Sequence, residues 1–240
     1  MKQYVTTAAL LVGLCGPAYG QPASAAARQA ASPRTDQLAS AERESQLKAA
    51  AWVAALHLPD APQQAAVQQI IVTHLLAIRA YEQAHPYTET PAGINPTTGK
   101  PLSLLERQLI AASARPPAVH EQLLSGLRQH LPPGQVEAVL DQYTIGKVAF
   151  TLRGYHAIIP DLTATEEEVL LANLKRAREQ AVDFTTMKQI SAIFEIYKTQ
   201  NEQYLNTHGR NWRALFTAYV KAANARKVAE KATGEKSTSP

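Results

Sequence analysis

Seven histidines are spread along the chain, at positions 57, 74, 85, 120, 130, 156 and 208. No two stand three or four residues apart, the spacings that bring side chains onto one helix face and let a helix present paired metal ligands. His120 is followed by Glu121, but the second histidine of a zinc-hydrolase helix is missing. The chain has no Gly-x-Ser-x-Gly elbow, no phosphate-cradling loop and no dinucleotide fingerprint. Most carboxylates have helical duties: Glu166, Glu167 and Glu168 crowd one helix start, and Glu42 and Glu44 read as surface. Asp141 and Asp183 are the two that folding could bring together across a cleft, as a glycosidase requires of its carboxylates. From these positions no catalytic residue, metal ligand or cofactor is assigned.

Tyrosine is more informative. There are nine, against two tryptophans and four phenylalanines. Tyr143, Tyr155, Tyr197 and Tyr204 fall in the same half of the chain as Lys147, Arg153, Arg178 and Lys198. A tyrosine buries a ring and keeps a polar tip, so a cleft lined by these residues suits sugar rings or acidic glycans. The same tyrosines serve equally as staples at the edge of a core, their hydroxyls reaching solvent or a carbonyl.

The elements that must position these residues are clearest over 154–209. Pro160 disfavours helix at the residue before it. Thr163 and Glu166 then have the spacing of a capping box. Acidic residues sit at the positive end of the helix dipole, and Lys175, Arg176 and Arg178 lie towards the negative end. Leu170, Leu174, Ala177 and Ala181 make one apolar stripe. The pattern repeats with Thr186 and Gln189 as a second box. Ile190, Ile193, Phe194, Tyr197, Tyr204 and Leu205 form the second stripe, and Gly209 stands where a helix C-terminus favours glycine. The short link at 183–185 predicts an antiparallel helix hairpin.

Elsewhere, Asp36 or Ser40 can cap a helix that Pro59 stops. Asp60 opens the next, with Val67, Ile71, Leu75, Ile78 and Tyr81 as its stripe and His74 at the core edge. Residues 85–103 carry four prolines and two glycines and predict a long irregular loop, of a length that is functional or mobile in compact domains. Helical pattern returns at 104–113 and 118–131, each ended by a proline pair. A further helix from Gln135 extends towards Ile158. Gly146 and Gly154 lie within it, each costing about 1 kcal/mol relative to alanine, which predicts close helix–helix approach or a break near Gly146. Asn211 starts a last helix with Trp212, Leu215, Phe216, Tyr219 and Ala223 on one face.

The 240 residues suffice for one domain with its own core. Residues 1–20 read as a secretory signal: Lys2, an apolar run over 5–15, and the small-residue site Ala18-Tyr19-Gly20. Leu14 before Cys15 argues against lipid attachment, and no segment is apolar enough to span a membrane. The expectation is an exported protein, periplasmic or secreted. The sole cysteine lies in the signal, so the mature chain would have no disulfide and no thiol chemistry. Losing Lys2 lowers the formal charge from +4 to +3. That charge is too mild and too dispersed for a nucleic-acid partner. Residues 21–36 read as a flexible leader, 37–226 as the helical domain and 227–240 as a disordered tail. The fold class is all-α: a single-domain bundle of antiparallel helix hairpins, about six to eight helices with one Pro-rich loop.

The C-terminal half resembles a family of exported bacterial proteins, domain of unknown function 3826. The residues that carry this are Asp141-x-x-Thr144-x-Gly146, then Thr151 and Tyr155, then Pro160-x-Leu162-Thr163. They continue through Ala177-Arg178-Glu179-x-Ala181-x-Asp183, Ile193-Phe194, Tyr197-Lys198 and Tyr204-Leu205. The segment from Leu56 to Tyr81 looks like the family's first helices. The resemblance implies a helical, exported fold and sugar binding as a guessed role. Where the family usually has arginine, Gln200 stands here, and Glu202 replaces the first of two asparagines. With the resemblance, the candidate ligand-binding set is Asp141, Thr144, Thr151, Tyr155, Arg178, Lys198 and Tyr204. The function expected is a non-enzymatic binding module for a glycan or small polar ligand. The alternatives are a periplasmic chaperone-like protein, from its punctuated helix starts, and a polysaccharide-processing enzyme.

Overall fold

The computed structural model describes residues 25–236, with the side chains of 36–228. The expected signal lies outside the described residues. By compactness the chain divides after Ser40. Within residues 1–40 the described backbone is helical. The remainder packs as one unit and holds both apolar clusters and both clefts described below.

Nine α-helices are present among the described residues: α1 (Ala25–Ala54), α2 (Ala61–Ala84), α3 (Leu104–Ser113), α4 (Pro117–His130), α5 (Pro133–Tyr143), α6 (Lys147–Ile158), α7 (Ala164–Ala181), α8 (Met187–Thr207) and α9 (Trp212–Lys236). The all-α class stands. The helix count exceeds the expected six to eight because the pattern over 135–158 is two helices. Ile145 and Gly146 both take left-handed backbone, at φ 53° and 63°. The Gly146 amide donates to the Asp141 carbonyl at 2.9 Å and the Ile145 amide to Gln142 at 3.4 Å. This pair of bonds is a Schellman closure, which takes up orphan carbonyls at the end of α5.

Two helices run past the bounds read from the sequence. Residues 25–36, read as a flexible leader, continue α1 towards the N-terminus, and residues 227–236, read as disordered tail, continue α9. Both stretches are rich in alanine and other good helix formers. Extending an existing helix also avoids the unfavourable nucleation step.

The caps follow the sequence closely. Thr163 with Glu166, and Thr186 with Gln189, form reciprocal capping boxes. Ser103 with Glu106 forms a third. The Asp60 carboxylate accepts from the Gln63 amide at 2.9 Å. The loop at 85–103 contains a single 3₁₀ turn, Tyr87–Glu89. Arg107 holds it, donating to the carbonyls of Thr88 (3.1 Å) and Thr90 (2.7 Å).

Two apolar clusters make the interior. The first joins α1, α2, α4 and α5 through residues such as Val53, Ile71, Leu127 and Val139, and takes in Val182 from beyond α7. The second joins α3, α6, α7 and α8 through Val148, Tyr155, Leu174, Phe194 and Leu205. In α4, a Cβ added to Gly126 would meet Ile70 of α2 at 3.1 Å, so this glycine sets the α2–α4 approach. Gly154 is different: a Cβ there would meet nothing within 4 Å.

Candidate functional site

Gly154 opens onto the floor of a cleft between α6, α8 and α9, with a volume of about 760 Å³. From α6 come Lys147, Phe150, Thr151, Arg153 and Tyr155; from α8, Phe194, Glu195, Lys198 and Glu202; from α9, Trp212, Phe216 and Tyr219. Helical spacing explains this set. Residues 147, 151 and 154–155 recur along one face of α6; residues 194–195, 198 and 202 recur along α8; residues 212, 216 and 219 recur along α9. Tyr155 and Trp212 lie with ring centroids 5.4 Å apart, and Trp212 and Phe216 at 5.9 Å. The Lys147 ammonium stands 5.5 Å from the centroid of the Phe194 ring, a cation–π distance. Lys198 pairs with Glu195 at 2.9 Å. Burial pushes the Glu202 carboxyl above its ordinary range, as it does the Tyr155 phenol.

The candidate residues therefore divide. Thr151, Tyr155 and Lys198 share the cleft. Tyr155 is also a core residue, 2 % exposed, whose hydroxyl donates to the Lys198 carbonyl at 3.5 Å. Arg178 and Asp141 meet elsewhere, on the α5–α7 seam, at 2.9 Å, with Glu137 at 3.7 Å from the same guanidinium. Thr144 is fully buried and its hydroxyl donates to the Leu140 carbonyl at 3.3 Å. Tyr204 lies beside His208, ring centroids 4.1 Å apart, outside the cleft lining. The seven do not converge on one concavity. Arg178 at the end of α7 is spent on α5, Thr144 on its own helix turn and Tyr204 on His208, so these residues lie apart from the cleft.

A second cluster gathers residues that sequence spacing did not join. Asp183, in the α7–α8 turn, accepts from two histidines. His74 Nε2 stands 3.0 Å from Asp183 Oδ1, and His120 Nδ1 2.9 Å from Asp183 Oδ2. His74 Nδ1 lies 3.2 Å from the Tyr143 hydroxyl. Arg115 donates to the Asp183 carbonyl, and its Nη2 stands 3.8 Å from Glu82. The Arg115 side chain is 4 % exposed, and its Nε and Nη2 have no hydrogen-bond partner. Burial alone would raise the Asp183 carboxyl, but the bonds from His120 and His74 outweigh it and hold it at about 2. His74 is lowered by burial, against the pull of Asp183, and so stays neutral. His120 is raised, chiefly by its bond to Asp183. Asp183 and Asp141, the two carboxylates that folding could have brought together, lie apart: Asp141 pairs with Arg178, Asp183 with the two histidines. One sequence signal did point here. His74 follows Val67 and Ile71 at helical spacing and precedes Ile78, so it lies within the apolar face of α2 and needs a buried partner.

His120 opens to a second cleft, of about 480 Å³, lined also by Glu121, Arg176, Glu179, Gln180 and Tyr197. Among the described residues no group of three or more His, Cys, Asp or Glu side chains is arranged to hold a metal ion, and no helix is long and apolar enough to cross a membrane.

The fold and these clefts define an all-α bundle protein with two concavities, each lined by apolar and charged side chains, on separate helix faces. Residues 42–225 match the family model described as Protein of unknown function (DUF3826), and the chain belongs to that family. No curated protein matches the chain.

Proposed function

We propose that the protein is a binding module that holds a glycan or another small polar ligand in the α6–α8–α9 cleft. The observation that supports this is convergence: aromatic rings from three helices share one concavity with Arg153, Lys198 and Glu202. Aromatic faces stack on the apolar faces of sugar rings, and the charged tips hydrogen-bond to hydroxyls. The volume lies within the range typical of ligand sites, about 300–1,000 Å³. Phe150 and Phe216 are 68 % and 45 % exposed, so the platform faces solvent rather than the core. Export on the signal at 1–20 belongs to the same proposal and would place the cleft where envelope or extracellular glycans are met.

A glycan array, followed by calorimetry on the best hit, tests it. Wild type should bind saturably. Phe216→Ala should weaken binding about tenfold, the worth of one stacked ring, with helicity by circular dichroism unchanged. An array blank both with and without calcium, or a hit indifferent to Phe216→Ala and Lys198→Ala together, would overturn the assignment.

A further inference from the structure

The cluster around Asp183 is organised in a way a structural clamp does not require. A carboxylate only accepts hydrogen bonds. Asp183 Oδ1 and Oδ2 must therefore receive protons from His74 Nε2 and His120 Nδ1. His74 Nδ1 then carries a lone pair and accepts from the Tyr143 hydroxyl. Within this hydrogen-bonded cluster one ring nitrogen is left over: His120 Nε2. It faces the 480 Å³ cleft, with Glu179 Oε1 3.9 Å away. The His120 side chain is 25 % exposed, whereas His74, which braces the far side of Asp183, is 1 % exposed. A carboxylate fixing Nδ1–H and presenting a free Nε2 at a cleft is the arrangement of a histidine general base.

We propose that His120 is the general base of a hydrolytic site in this cleft, activating water against the acyl carbon of a small neutral ester. No serine, threonine or cysteine lines the cleft, so the nucleophile is water rather than a side chain. His120 Nε2 takes a proton from the water as its oxygen bonds to the acyl carbon, and the carbonyl π pair moves onto oxygen. The oxyanion's pair then re-forms the carbonyl as the C–O bond to the leaving alcohol breaks, and the departing alkoxide takes the proton back from Nε2. Water and ester become acid and alcohol, with no oxidant or cofactor. Arg176 and Gln180 supply N–H donors at the cleft for the transient oxyanion. Asp183 is a positioning residue: it keeps the tautomer and stabilises the imidazolium. The class of substrate follows from charge. Glu121 and Glu179 line the cleft with Arg176, so a neutral ester enters without the repulsion that an anion would meet from the two carboxylates.

The groups around His120 also set its pH profile. Asp183 in the turn and Glu179 on α7 favour the imidazolium, while burial and Arg128 on α4 oppose it. Arg176 on α7 and Tyr197 on α8 line the same cleft, and His74 on α2 stands behind Asp183. The balance raises His120, so the base form and the rate should grow as pH climbs above the ordinary histidine range.

Hydrolysis of p-nitrophenyl acetate by the full chain tests this. The expected kcat/KM exceeds that of free imidazole at equal concentration and rises sigmoidally with pH. His120→Gln should lower it about a hundredfold, the lower end of general-base effects, with helicity unchanged. Asp183→Asn should lower kcat at constant KM and move the pH midpoint down towards that of free imidazole. If Asp183→Asn fails to fold, His120→Gln alone decides, since it leaves the His74–Asp183 bond in place. Wild-type turnover no faster than imidazole, or His120→Gln as active as wild type, overturns the proposal.

Discussion

The Asp183 carboxylate accepts from a histidine on either side, and its own carbonyl is held by Arg115. Replacing it by asparagine puts an N–H where one histidine N–H already points. The loss at neutral pH should be about 2 kcal/mol, the scale of a hydrogen bond to a charged group, measured by urea denaturation. Its pH dependence has a definite sign. Asp183 is held down to about 2, so its stabilisation is present above the ordinary carboxylate range. The difference between wild type and Asp183→Asn should close as pH falls through about 2. The histidines act in opposite senses. His74 is lowered by burial, so it favours the folded state above the ordinary histidine range and less below it. His120 is raised, so its contribution is present below that range and is lost as pH climbs through its folded value. Arg178 has a comparable structural role: at 4 % exposure it spends its guanidinium on Asp141 and Glu137.

At the scale of elements, two glycines in helix interiors make opposite predictions. Gly154 of α6 faces open space in the cleft. Gly154→Leu should raise stability by about 0.5–1 kcal/mol through helix propensity, while its side chain fills the cleft and abolishes ligand binding. A rise in Tm together with intact binding would show that the ligand lies elsewhere. Gly126 of α4 lies against Ile70. Gly126→Ala gains the same propensity but forces α4 from α2, and should cost about 1 kcal/mol net. The glycine pattern alone did not separate these cases, because contact depends on the neighbouring helix. Local grammar was readable: the Thr163 and Thr186 boxes and the interruption at Gly146 appear where residue types demand them, whereas α1 ends at Ala54, ahead of the stop expected at Pro59. The cleft was readable in part, through Thr151, Tyr155 and Lys198. Its α9 wall was not, since nothing in the aromatic stripe of Trp212 and Phe216 says which helices it meets. The His74–Asp183 contact joins residues 109 apart, beyond what periodicity can register.

The whole unit raises a question of cooperativity. Its two apolar clusters are largely separate: one is built on α1, α2, α4 and α5, the other on α3, α6, α7 and α8. The turn after α7 belongs to both. Val182 packs into the first cluster, Phe184 into the second, and Asp183 between them binds α2 and α4. Losing either cluster strips this turn of half its partners, so the two should melt together. The chain's two tryptophans report one cluster each. Trp52 packs on the first, its ring centroid 4.7 Å from that of Tyr143; Trp212 packs on the second, beside Tyr155. Trp212→Phe and Trp52→Phe thus give single-tryptophan proteins with a probe in either half. Urea transitions followed by fluorescence should share one midpoint and one slope once the stability difference between the variants, measured by circular dichroism, is allowed for. Separate midpoints would mean that the clusters unfold independently and that the turn at 182–184 links them without coupling them. In that case the cleft, built wholly on the second cluster and α9, would keep its ligand in urea that has already melted the first.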